Sequence, residues 1–164
     1  MSNPNDPSMS LLDRVKIQSE VLVPILKALR TEIGEDHTNT IVYKALRDWS
    51  RQVYQDIGST KSGSGKEKWQ TISDDLDQLI GDDVELNYLR DDSDALEFNV
   101  TGCRYAEFFR QLGEPELGAI LTCEIDDHVA EIGHPEVEFS RPQTIMGGAD
   151  HCEFRYKFRE GEQD

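Results

Sequence analysis

The three cysteines of this chain all lie C-terminal to residue 100, and each stands beside groups that make a thiol chemically useful. Cys103 follows Thr101-Gly102 at the start of a predicted helix. There, unsatisfied backbone N–H groups and the positive end of the helix dipole lower a thiol's pKa toward the nucleophilic thiolate, and Arg104 adds positive charge. Cys123 is i,i+3 from Asp126 and i,i+4 from Asp127, so one helical face brings a thiol to carboxylates that can act as a general base or orient a water. His151 and Cys152 open a predicted strand, in which neighbours point to opposite faces. Cys152 is in phase with Phe154, Tyr156 and Phe158, and His151 with Glu153 and Arg155. Both reach one site only through a bulge or turn, which the preceding Gly147-Gly148 permits. Arg141 and Arg155 offer planar forks that match a substrate carboxylate, and the phase of Arg155 with His151 favours it. The candidate catalytic set is therefore Cys103, Cys123, Asp126, His151 and Cys152, with Arg141 and Arg155 to bind substrate.

Plainer readings stand beside each of these. A free cysteine is usually a small buried hydrophobe. Cys123 and Asp127 could mark only the rim of a packed helix, and Arg155 could be an ordinary exposed strand residue. His128 and His134 fit surface or capping positions and are left out of the site. Three thiols and an imidazole would also complete a Cys₃His zinc sphere. No C-x₂-C knuckle exists, however, and the four residues scatter over two helices and a strand. No metal or other cofactor is expected.

The elements that must position these residues follow from hydrophobic period. Ser10 and Asp13 resemble an N-terminal cap for a helix over 10–33, with Leu11, Leu12, Val15, Leu22, Ile25, Leu26, Leu29 and Ile33 at helical spacing. Pro24 should kink or split it. A second helix is predicted from Thr40 to Ile57, with Ile41, Val42, Ala45, Leu46, Trp49, Val53 and Tyr54 as its apolar stripe and Gly58 as its stop. A flexible loop over 59–65 leads to a third helix bearing Trp69, Ile72, Leu76, Leu79 and Ile80. The period then changes. Val84, Leu86 and Tyr88 alternate, as do Leu96, Phe98 and Val100 after the polar turn Asp91-Asp92-Ser93-Asp94, which reads as an antiparallel hairpin. Helices follow from Cys103 to Leu112 and from Pro115 to Ile132, the second broken by Gly133, His134 and Pro135. Val137, Phe139 and then Thr144 to Met146 read as strand interrupted by Pro142, and the last strand carries Cys152 to Phe158. The class is α+β: an N-terminal helical layer followed by a mostly antiparallel sheet, with a helical pair inserted between strands.

A length of 164 residues with 37% hydrophobic residues suits a single domain over 1–164, with tails at 1–9 and 160–164 expected to be disordered. A formal charge of −16 opposes nucleic acid and anionic membrane, both of which need Lys and Arg to neutralise phosphates. No stretch approaches the about 20 apolar residues of a membrane span. Met1–Met9 lacks the basic and apolar regions of a signal peptide, and an odd cysteine count points to free thiols in a reducing cytoplasm. The expected partner is a small-molecule substrate, and the stripes on the first two helices leave a homodimer open.

Four segments taken in order carry a resemblance. They are Thr101-Gly102-Cys103-Arg104-Tyr105-Ala106-Glu107-Phe108-Phe109, Leu121-Thr122-Cys123-Glu124-Ile125-Asp126, Ser140-Arg141-Pro142-Gln143-Thr144-Ile145 and Gly148-Ala149-Asp150-His151-Cys152-Glu153-Phe154-Arg155-Tyr156. Over residues 100–158 the chain resembles the L-2-amino-thiazoline-4-carboxylic acid hydrolase family. That resemblance implies hydrolysis of a non-peptide C–N bond in a cyclic amidine: water adds at C2, and the tetrahedral adduct collapses to a carbamoyl-cysteine. Such a reaction asks for a nucleophile, a proton shuttle and an anion clamp. Cys103 or Cys123 could supply the first, Asp126 or His151 the second, and Arg141 or Arg155 the third. The layout of helices before a sheet also resembles the 4-vinyl reductase type of small-molecule-binding domain, which encloses a ligand without turnover.

Overall fold

Ser10 opens the first helix by accepting the Asp13 N–H at 3.0 Å, and α1 then runs over Leu11–Ile33. In the computed structural model, which describes residues 9–159, Pro24 does not split it. Pro24 lies on the exposed side, where water can take up the carbonyl that a proline leaves unpaired. Gly34 alone joins α1 to α2, Glu35–Thr60, and its φ of 90° is in the region glycine tolerates. α2 thus begins before the predicted Thr40 and passes through Gly58. Gly58 is a close-approach residue and not a stop: a Cβ there would meet Ile132 Cγ2 at 3.1 Å.

A full capping box, Ser64 with Glu67, starts α3 over Gly65–Ile80, and the Glu136 carboxylate accepts the N–H groups of Gly65 and Lys66, both at 3.1 Å. These bonds tie the start of α3 to the segment that enters the sheet. Trp69 of α3 is fully buried against Tyr156 and Phe158, with ring centroids 4.7 and 5.3 Å away. A short 3₁₀ turn, Gly81–Asp83, leads into the hairpin of β1, Val84–Asp91, and β2, Ala95–Cys103. Asp92 closes this hairpin by accepting the N–H groups of Asp94 and Ala95 at 2.8 and 3.0 Å.

The chain then inserts α4, Arg104–Gln111, α5, Pro115–Gly118, and α6, Ile125–Glu131. The single helix predicted from Pro115 to Ile132 is instead interrupted by a π turn over Ala119–Cys123. Within it, the Thr122 hydroxyl donates back to the Gly118 carbonyl at 2.6 Å. Strands β3, Val137–Ser140, and β4, Cys152–Phe158, complete a four-stranded antiparallel sheet of order β1-β2-β4-β3. The class is α+β, as the sequence indicates.

Thr144 to Met146 form no strand. Ile145 and Met146 lie in a turn and plug the core beside β4, so their apolar character serves packing, not alternation. Pro142, which cannot donate to a ladder, lies two residues beyond the end of β3. The core joins the inward side chains of the sheet to α1, α4 and α5 at one end and to α3 and α6 at the other. The tails expected over 1–9 and 160–164 lie outside the described residues except for Met9. No described helix is long and apolar enough to cross a membrane.

Candidate functional site

Cys103 is the last residue of β2 and the N-cap of α4, with its Sγ accepting the Ala106 N–H at 3.4 Å. The cap position alone predicts a thiol drawn toward thiolate. Burial instead pushes the Cys103 pKa up, and the N–H groups of Ala106 and Tyr105 offset only part of the rise. Asp126 and Glu107 add to it. Arg104, expected to assist the thiol, turns to Asp83 at 2.8 Å. A cap contributes two weak donors to sulfur, whereas desolvation acts on the whole charge.

Cys123 closes the π turn and Asp126 stands in the first turn of α6. Arg141, just past β3, reaches back across both elements. Its Nη1 donates to the Cys123 carbonyl at 2.9 Å and to Asp126 Oδ2, while Nη2 donates to Asp127 Oδ2 at 3.3 Å. The Arg141 side chain is only 7% exposed and packs its guanidinium near the rings of Phe154 and Phe139, 5.5 and 6.0 Å from their centroids. Burial raises the Asp126 carboxyl to about 6 against the pull of Arg141, and Asp127 adds to the rise. Because 37% of the Asp126 side chain stays open to solvent, water at that edge tempers the shift without reversing its direction.

Cys123 is pushed up to about 12, first by burial and then by Asp126, with Arg141 opposing. Cys152 is buried, accepts the Ile145 N–H at 3.2 Å, and is likewise raised by burial, with Cys103 and Asp126 within electrostatic reach. Three neutral thiols therefore share one neighbourhood with a single carboxyl poised near neutrality.

Two of the sequence candidates fall elsewhere. The ladder between β2 and β4 is regular from Ala95↔Lys157 to Val100↔Cys152, and His151, in the bend just before it, turns its ring to the side of Glu153. Its imidazole meets Gln143 at 3.2 Å and Glu153 at 3.4 Å. Arg155 turns toward β2, donating to the Phe98 carbonyl at 2.8 Å and to Asn99 at 2.9 Å, with Glu153 at 3.4 Å. The structure brings together Cys103, Cys123, Cys152, Asp126 and Arg141, and leaves His151 and Arg155 on the outer side of the sheet. Among the described residues, no group of three or more His, Cys, Asp or Glu could hold a metal ion. An open cleft of about 470 Å³ is lined by Asp127 and Glu131 of α6, by β3, and by Arg155 and Lys157, and it reaches the cluster at Asp127 but at no thiol.

The L-2-amino-thiazoline-4-carboxylic acid hydrolase family matches residues 14–156. The chain belongs to this family. The match extends well N-terminal to the four segments, through the helical layer, and takes in every candidate residue named above. No curated protein matches. Among solved structures, the chain is similar to trafficking protein particle complex subunit 3 from Naegleria fowleri, covalently bound to palmitic acid. The identity is 16% and the TM-score 0.47, over 91% of this chain and 99% of that one.

In this member of the hydrolase family, one further group stands near the site that the sequence reading did not single out. Tyr105 is 9% exposed and its hydroxyl has no hydrogen-bond partner among the described residues. Burial raises its phenol pKa, and Asp83, Cys103 and Asp126 add to the rise, so the hydroxyl lies within electrostatic reach of the thiol–carboxylate cluster. Tyr54, raised to about 12 by burial and then Asp126, and Tyr156, raised by burial, also feel that carboxylate. Tyr54 comes from α2, Tyr105 from α4 and Tyr156 from β4, so only the tertiary fold gathers them. The one local clue was that Tyr105 follows the cap cysteine by two residues.

Proposed function

We propose that the protein hydrolyses a C–N bond in a small cyclic amidine bearing a carboxylate, in the manner of L-2-amino-thiazoline-4-carboxylate opening to a carbamoyl-cysteine. The observation that carries this reading is Asp126: a carboxyl raised to about 6, paired with Arg141 and within electrostatic reach of three thiols. A base with a pKa close to the working pH is best matched to proton transfer. The neutral thiols need such a base, because none of them is a preformed thiolate.

Cys103 is the preferred nucleophile. Its cap N–H groups already point at sulfur, whereas Cys123 is held up to about 12. Its Sγ bonds to C2 of the protonated amidine while the thiol proton passes to Asp126. Asp126 then protonates the ring nitrogen as the C2–N bond breaks. Water adds to C2 and gives one proton to Asp126. The C2–Sγ bond breaks, the thiol regains that proton, and the remaining hydroxyl proton ends on the freed amine. The net change is one water added across the ring C–N bond.

Arg141 is the anion clamp. Three of its five N–H donors are occupied among the described residues, so two remain for a carboxylate. The experiment is ring opening of 2-amino-thiazoline-4-carboxylate by the purified protein, beside Cys103→Ala. Saturable turnover lost in the variant is expected. Turnover retained in Cys103→Ala would move the nucleophile to water or Cys123. Tight binding without turnover would favour the ligand-enclosing 4-vinyl reductase type.

A further inference from the structure

The α1–α2 hairpin turns its larger apolar side chains the wrong way for a free surface. On α1, Ile17, Val21, Ile25, Leu29 and Ile33 recur at a strict spacing of four and all are exposed, Val21 at 62%. On α2, Ile41, Trp49 and Ile57 fall on a row of the same spacing and are also exposed, Trp49 at 56%. The fully buried positions of α2 are small or polar instead, Thr38, Ser50 and Gly58, with Val42 and Tyr54 half-buried against the core beside them. The apolar stripe read from the sequence therefore lies partly on the outer face of α2.

We propose that this outer face is the interface for a second copy of the chain. Rows spaced by four are the ridges that interdigitate when helices cross, so a two-fold axis can set each ridge into its own copy. The 23 residues of α1 and 26 of α2 span about 35 and 39 Å at 1.5 Å per residue. Side by side at about 10 Å they offer a face of roughly 700 Å², close to the about 800 Å² per partner of a standard interface.

Charge selects the occupant. Residues 11–60 hold seven Lys and Arg against seven Asp and Glu, so the chain's −16 lies entirely on the remainder. A second copy is repelled everywhere except at this neutral hairpin, while a basic partner would prefer the acidic remainder.

Sedimentation equilibrium of the full chain tests this, with an expected mass of twice 18.7 kDa. Ile25→Asp and Trp49→Asp should each weaken the dimer at least about 30-fold, as loss of a central hot spot does. Both positions are solvent-exposed in one chain, so the far-UV circular dichroism should not change. Leu89→Asp, on the exposed surface of β1, should leave the dimer intact. Dilution of the wild type should also shift Trp49 emission to the red, while Trp69 stays fully buried. A wild type that remains one chain at the highest attainable concentration would overturn the proposal. So would a dimer that both Asp variants leave unchanged, or one that Leu89→Asp disrupts equally.

Discussion

Strand β4 separates two electrostatic environments within a single rise of the backbone. Cys152 and Tyr156 look inward, where burial raises both the thiol and the phenol, and where Asp126 and Arg141 act on them with little water between. His151, Glu153 and Arg155 look outward and satisfy one another and Asn99 in partial contact with solvent. Exposed pairs of that kind contribute about 0–1 kcal/mol and leave their members replaceable. The inner set is different: each group alters the protonation of the next. Adjacency in sequence thus says little about shared chemistry in a strand, whereas a shared dielectric says a great deal.

The sharpest way to break the contrast is to remove the cation that holds the inner face together. Arg141→Ala strands Asp126 and Asp127 beside each other. It should destabilise the fold by about 2–3 kcal/mol in urea unfolding, below the about 3–5 kcal/mol of a fully buried pair because both carboxylates keep open edges. Turnover should fall at least about 100-fold, in the range of a lost electrostatic contact to the reacting molecule. The carboxyl of Asp126 should also rise further, since the group that lowers it is gone.

A smaller effect is expected from Tyr105→Phe. Removing an unpaired buried hydroxyl costs the fold nothing and relieves an unsatisfied group, so the melting temperature should hold or rise. If the hydroxyl meets the substrate, kcat/KM should fall by about 10-fold, the worth of one hydrogen bond of about 1.4 kcal/mol. Unchanged kinetics would return Tyr105 to a packing role. Least affected should be His151→Ala and Arg155→Ala, with less than about a twofold change in kcat/KM, because their partners lie on the outer face. A large loss in either would mean that the two faces of β4 act as one.

Much of this architecture was legible from period alone. The β1–β2 hairpin, the inward phase of Cys152 with Tyr156, and the Ser10 cap need only local alternation and local hydrogen bonds. The i,i+3 meeting of Cys123 and Asp126 was legible too, although the π turn that ends at Cys123 was not. Just before that turn Gly118 sits so close to Phe109 and Met146 that a Cβ there would lie 2.5 Å from the ring, a tertiary contact that no local pattern shows. The direction of the Cys103 pKa is not legible locally, because its cap is local while its burial depends on the rest of the core. Ile145 and Met146 look like strand in one dimension because core plugs and strands share the same residue types. The role of Arg141 as a tie between Cys123, Asp126 and Asp127 spans up to 18 residues of sequence, and no local pattern announces it.

The most direct test of the inner-face account is the pH dependence of 2-amino-thiazoline-4-carboxylate ring opening, measured for the wild type and for Asp126→Asn. A group whose pKa is raised to about 6 is protonated, and useless as a base, below that value. The wild-type rate should therefore climb as pH rises through about 6 and level off above it. Asp126→Asn should lose both that limb and at least about 100-fold of the rate, a typical contribution of general base catalysis. An Asp126→Asn protein that keeps the wild-type rate and the same limb would contradict the account.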